Sequence, residues 1–238
     1  MIPLKDDIPT RRTPLLTIAI VAINVIVYFF LERGLWELGD HGNAAVTDYG
    51  AIPVELTEGE EVGGGDQPPS WLTPFTSMFM HGSLLHLGGN MLFLWIFGNN
   101  IEDSMGRLTF VAFYLLGGFA ALGLHVLSDP DSVVPTVGAS GAIAGVLGAY
   151  ARLYPRARVV TVVFIIIIFT VVTLPALLVL GVWFLLQLLP AFSEPSGAGG
   201  GVAYFAHIGG FVFGLLAIKL FANNVHEDYD RAHRLPVY

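Results

Sequence analysis

Apolar positions along the chain are gathered into blocks that contain no Asp, Glu, Lys or Arg: 14–31, 67–101, 108–128, 132–151, 159–193 and 195–218. A helix that crosses about 30 Å of hydrocarbon needs about 20 consecutive apolar residues. The blocks therefore predict membrane-spanning helices. Span 1 covers Leu15–Leu31, span 2 Leu84–Asn100, span 3 Leu108–Leu127, span 4 Ser140–Tyr154 and span 6 Val202–Ala222. Span 4 is short and follows the turn-forming Asp129-Pro130-Asp131. The first block is longer than the roughly 7–15 residues of a signal-peptide core, so it reads as a retained span. Between spans 1 and 2 lies a long polar loop, 32–80. Its Gly63-Gly64-Gly65-Asp66 stretch is flexible, and its last part, Trp71 to Met80, suits the membrane interface.

The block 159–193 is too long for one span and short for two. Its first part, Val159–Val172, is β-branched, and Pro175 separates it from Ala176–Leu189. The distribution of basic residues decides between the readings. With one span here, Lys5, Arg11, Arg12, Arg107, Arg152, Arg156, Arg158, Lys219, Arg231 and Arg234 share one side, against Arg33 alone on the other. With two spans, the last three cross over. Six spans are expected, with Val159–Val172 as a lead-in or tilted extension of span 5. The predicted fold is an all-α polytopic membrane protein. A single membrane domain, 1–222, begins with an N-terminal tail, 1–13, and is followed by a short cytoplasmic tail, 223–238.

Composition agrees. The 238 residues are 54% hydrophobic and only 13% charged, with mean hydropathy +0.68 and net charge −8. Soluble domains carry about 25% charged residues. These values exclude a soluble enzyme, a disordered chain, a coiled coil and a nucleic-acid binder. The net charge reports orientation, because the acidic residues concentrate in the outer loops. No Cys is present, which excludes disulfides, thiolate metal sites and a Cys nucleophile. No metal or cofactor is expected, and the partners are the lipid bilayer and other membrane proteins.

A polar group placed in hydrocarbon needs a partner and points to function. His86 and Asn90 on span 2, Ser140 at the head of span 4 and His207 on span 6 all fall toward the outer side. His86 and Asn90 are four residues apart and share a helix face. Ser becomes a nucleophile when a base takes its proton, and His is the usual base near neutral pH. Ser140 and His207 supply that pair. The Ser140 backbone N–H, the His86 ring and the Asn90 amide can donate to a developing oxyanion. The spans hold no Asp or Glu to orient His207, so a two-residue dyad is expected. Gly138 and Gly141 flank Ser140. Gly141-x-x-x-Gly145 on span 4 and Gly209, Gly210 and Gly214 on span 6 are stripes that let membrane helices approach closely.

Gly138-Ala139-Ser140-Gly141, His86-x-x-x-Asn90 and Ala206-His207-Ile208-Gly209-Gly210-x-x-x-Gly214 resemble the motifs of the rhomboid intramembrane serine proteases. The likeness extends to Glu102–Gly106 after span 2 and Trp183-Phe184 in span 5. It implies Ser140 as nucleophile, His207 as general base, and His86 and Asn90 lining the oxyanion site. It also implies His81 near a water-filled entrance and Trp183 and Phe184 at a lateral gate. The substrates would be transmembrane segments of other proteins, cleaved under a cap formed by 190–201. Four residues after Ser140, where the family often has an aromatic, stands Ala144, so another aromatic such as Tyr204 is expected beside His207. A catalytically silent rhomboid-like protein that binds or escorts membrane proteins is the alternative. The expected location is the plasma membrane of a prokaryote, with both termini cytoplasmic and the site opening to the outer side.

Overall fold

The computed structural model describes residues 1–32, 42–59, 62, 67–165, 168–193 and 203–222. Most of the expected cap, the C-terminal tail and parts of the first loop, including its triple glycine, lie outside the described residues. The described chain is mostly helical. Helix α1 (Leu15–Ile26) continues as a π-helical turn, Val27–Glu32. The first loop contributes α2 (Gly42–Tyr49) and α3 (Pro53–Thr57), and then α4 (Thr73–Thr76) between two 3-10 turns. In that last segment Trp71 is exposed while Met78 and Met80 are buried. Helix α5 (Leu84–Phe93) passes through a π-helical segment, Leu94–Gly98, into α6 (Asn99–Met105). Then come α7 (Arg107–Ser128), α8 (Ser140–Leu153), α9 (Ala176–Ser193) and α10 (Tyr204–Phe221).

Three helices among the described residues are long and apolar enough to cross a membrane: Leu15–Glu32, Arg107–Ser128 and Tyr204–Phe221. Ala176–Phe192 is a shorter apolar helix. Leu108, Leu216 and Leu220 are exposed on the outside of the described helices.

Helix α8 is the centre of the bundle. Every residue from Gly141 to Ala151 is buried. It packs chiefly against α10 and α7. Small residues explain the close approach. A Cβ on Gly210 would run into the Gly141 carbonyl, and one on Gly214 into the Gly145 carbonyl. Glycine stripes on both helices thus bring backbone against backbone. At 14 residues, α8 is only about 21 Å long, shorter than the hydrocarbon core. It is also shorter than α7 and α10, against which it packs.

The expected all-α architecture needs correction. A three-stranded antiparallel sheet has the order β1 (Ile2–Asp6), β2 (Arg158–Ile165), β3 (Ile168–Pro175). The segment expected to lead into span 5 is a hairpin, in register from Arg158↔Pro175 to Ile165↔Ile168. Its Val, Ile and Thr content favours strands, and pairing satisfies the backbone without a helix. The N-terminal tail supplies the third strand, pairing Ile2 with Val162. Asp6 anchors it inward, accepting from Tyr150 Oη at 2.7 Å and Asn100 Nδ2 at 2.6 Å. Nearby, the Glu102 carboxylate accepts from the backbone N–H of Leu16 (3.1 Å) and Thr17 (2.8 Å) and from the Thr17 hydroxyl (2.8 Å). It thereby satisfies orphan donors at the start of α1 and complements the positive helix end.

Candidate active site

Three helix N-termini converge on one end of the bundle. His86 is the third residue of α5, Ser140 the first of α8 and His207 the fourth of α10. Ser83 caps α5, its hydroxyl accepting the His86 N–H at 3.1 Å. The turn into α8 needs glycine twice over. Gly138 has φ +126°, and a Cβ there would lie 2.8 Å from the His86 ring. Its N–H donates to the Ser77 carbonyl at 2.8 Å, tying the turn to the end of the first loop.

The Ser140 hydroxyl donates to His207 Nε2 at 2.7 Å. The two residues come from α8 and α10, held together by the glycine contacts described above. They line a cavity of about 620 Å³ together with His86, Asn90, Gly138 and Trp183. Helix N-termini aim backbone N–H groups and positive partial charge at such a space, which favours an anion forming there.

Asn90 is buried and its amide donates to His81 Nε2 at 3.0 Å. The His81 and His86 rings meet edge to face, centroids 5.0 Å apart. The expected position of His81 at a watery entrance needs correction, because the residue is fully buried behind Asn90. Its backbone N–H is held by the Glu32 carboxylate at 2.8 Å, which draws it into the bundle.

Helix α9 closes the other side. The Trp183 ring lies 5.9 Å from that of His207, so it is Trp183 that the structure sets against the imidazole. Trp183 also meets Phe93 of α5 at 6.4 Å, and Phe184 stacks on Phe211 at 4.6 Å. His207 Nδ1 donates to Gln187 Oε1 at 2.7 Å. Sequence reasoning missed Gln187 and Glu32. Gln187 lies in the block whose helical boundaries the sequence left open, so its face could not be set against His207, although an amide one turn from Trp183 in an apolar block was a usable signal. Glu32 was read as the first residue of the loop, whereas it ends the first long helix.

Residues 68–224 match the family described as the Rhomboid domain. The chain belongs to the rhomboid family. Rhomboid protein 1, mitochondrial, of Saccharomyces cerevisiae is 32% identical over 157 residues, 63% of this chain and 42% of that protein. The presenilin-associated rhomboid-like protein, mitochondrial, of Mus musculus is 36% identical over 103 residues, 40% of this chain and 26% of that one. Rhomboid protease GluP of Bacillus subtilis is 30% identical over 137 residues, 57% of this chain and 24% of that one. This rhomboid-family chain thus spans less than half the length of each of these relatives. The expected prokaryotic plasma membrane needs correction too. Matched relatives from yeast, zebrafish, mouse and Arabidopsis are named mitochondrial, and another from Arabidopsis chloroplastic.

Proposed function

We propose that this member of the rhomboid family is a serine intramembrane protease that cleaves transmembrane segments of other proteins. The observation that carries the reading is the 2.7 Å hydrogen bond from the Ser140 hydroxyl to His207 Nε2, inside a cavity among apolar helices. In this reading α1, the run from α5 to α6, α7, the short α8, α9 and α10 make six crossings.

The chemistry follows from the atoms present. Ser140 Oγ attacks the scissile carbonyl carbon while His207 Nε2 takes its proton. The carbonyl oxygen becomes an oxyanion and is met by the Ser140 backbone N–H, the His86 ring and the Asn90 amide. His207 then gives its proton to the departing amine, leaving an acyl group on Ser140. Water, deprotonated by the same imidazole, attacks that ester, and the proton returns to Ser140 Oγ. Substrate enters sideways between α5 and α9, where Phe93 and Trp183 face each other. The name of the Bacillus subtilis relative, a rhomboid protease, supports the reaction class.

Purified Ser140→Ala and His207→Ala variants should both lose cleavage of a reporter transmembrane substrate while remaining folded. The wild type should be labelled at Ser140 by a fluorophosphonate. Cleavage by either variant overturns the Ser140–His207 assignment, and a wild type that neither cleaves nor labels sinks the proposal in favour of a silent binding protein.

A further inference from the structure

His207 has two ring nitrogens, and the reaction needs them in different states. Nε2 must be bare to take the Ser140 proton, so Nδ1 must carry the hydrogen. Nothing in an imidazole alone enforces that tautomer. In the soluble serine proteases a buried carboxylate does so by accepting from Nδ1. A carboxylate inside a bilayer is costly to keep charged, and the described residues bring none to His207 Nδ1. The atom that meets Nδ1 is Gln187 Oε1, at 2.7 Å.

An amide has two ends, and only one fits. If the amide nitrogen of Gln187 faced Nδ1, it would donate there and push the ring hydrogen to Nε2, which would disable the base. The helix itself orients the amide the other way. Gln187 Nε2 is 3.5 Å from the carbonyl oxygen of Trp183, one turn earlier on α9, so the nitrogen has an acceptor behind it and the oxygen is left for the imidazole. The Trp183 ring, 5.9 Å from His207, flanks the same imidazole. Ring and amide are four residues apart on one face of α9 and hold His207 by packing and by a hydrogen bond. This support stands in for the aromatic that Ala144 does not provide.

We propose that Gln187 is a positioning residue of the site: its side-chain oxygen fixes His207 as the Nδ1–H tautomer and aims Nε2 at Ser140. The inference rests on the protease reading for its kinetic consequences. Its structural core, the tautomer, is measurable without any turnover.

The test uses the full chain in detergent micelles, wild type beside Gln187→Met and Gln187→Glu, with Ser140→Ala as the control. Gln187→Met keeps the length and removes the acceptor. It should lower kcat for a reporter transmembrane substrate on the order of 10²-fold with little change in KM, because a misplaced base slows chemistry more than binding. Gln187→Glu restores an acceptor and should recover most of kcat. It should also move the acid limb of the pH profile to higher pH, since a carboxylate favours the imidazolium. By 15N NMR of labelled histidine, His207 should carry its hydrogen on Nδ1 in the wild type, and Gln187→Met should shift the population toward Nε2–H. A Gln187→Met variant with wild-type kcat, or with an unchanged His207 tautomer, overturns the inference. A wild type no more active than Ser140→Ala overturns the protease reading instead, and the NMR comparison still decides the role of Gln187.

Discussion

The Glu32 carboxylate, at the end of the first long helix, accepts the His81 backbone N–H at 2.8 Å, and His81 in turn receives the Asn90 amide at 3.0 Å. A chain of contacts thus runs from the π-helical turn after α1 to the wall of the cavity, through residues buried from solvent. Glu32→Ala leaves the His81 N–H buried without this acceptor, a loss of about 1–3 kcal/mol. The expected result is a lower Tm together with reduced cleavage, because Asn90 loses its backing. Glu32→Gln keeps an acceptor and should be milder on both counts. Thermal melts and cleavage rates of the two variants, side by side, check this.

Asn90 is itself the more direct probe of the proposed oxyanion site. Loss of one donor to a developing oxyanion lowers kcat by about 10²–10³-fold. Asn90→Ala should fall in that range, while Ser140 keeps its hydrogen bond to His207. Steady-state kinetics should therefore show a drop in kcat with KM much less affected. A variant with full kcat would remove Asn90 from the oxyanion site.

The meeting of Ser140 and His207 depends on helix contact farther along. A methyl group on Gly214 would collide with the Gly145 carbonyl, so Gly214→Ala must push α10 off α8. Overpacking of this kind costs about 1–3 kcal/mol. Gly214→Ala should lower Tm and slow fluorophosphonate labelling of Ser140. Gly123→Ala, on α7, meets open space and should leave both unchanged. Equal behaviour of the two variants would show that the α8–α10 approach does not set the site.

Asp6 gives the fold a pH dependence of its own. Burial pushes its carboxyl up from 3.8 to about 6, although the hydrogen bond from Tyr150 acts in the opposite direction. The folded state therefore binds this proton more tightly than the unfolded chain does. The favourable contribution is present below about pH 4 and is lost as pH rises through about 6. At about 1.4 kcal/mol per unit, the whole effect is no more than about 3 kcal/mol. The wild type should melt at progressively lower temperature between pH 4 and pH 7. Asp6→Asn, which cannot ionise, should show a flatter profile over that range.

Much of the candidate site was legible in the sequence. Ser140, His207, His86 and Asn90 betray themselves because neutral polar groups in charge-free blocks need a reason to be there. The glycine stripes on α8 and α10 were equally plain, since small residues at four-residue spacing describe a contact face. The sheet was not legible in the same way. Val159–Val172 is as hydrophobic as a span, and hydropathy measures affinity for apolar surroundings without distinguishing a helix from a paired strand. The β-branched content was the cue. The partner of β2 on one side is Ile2–Asp6, more than 150 residues away in the chain, and no local pattern announces such a pairing.

The sequence by itself determined that the chain is a membrane protein, which residues break its apolar blocks, and where its close helix contacts fall. These are properties of composition and local period. Only the tertiary structure decided that Gln187 meets His207, that Glu32 holds His81, and that His81 lies behind Asn90 instead of at an open mouth. Each of those contacts joins separate elements of the chain. An amide or a carboxylate carries no mark of its partner until packing brings the two within 3 Å.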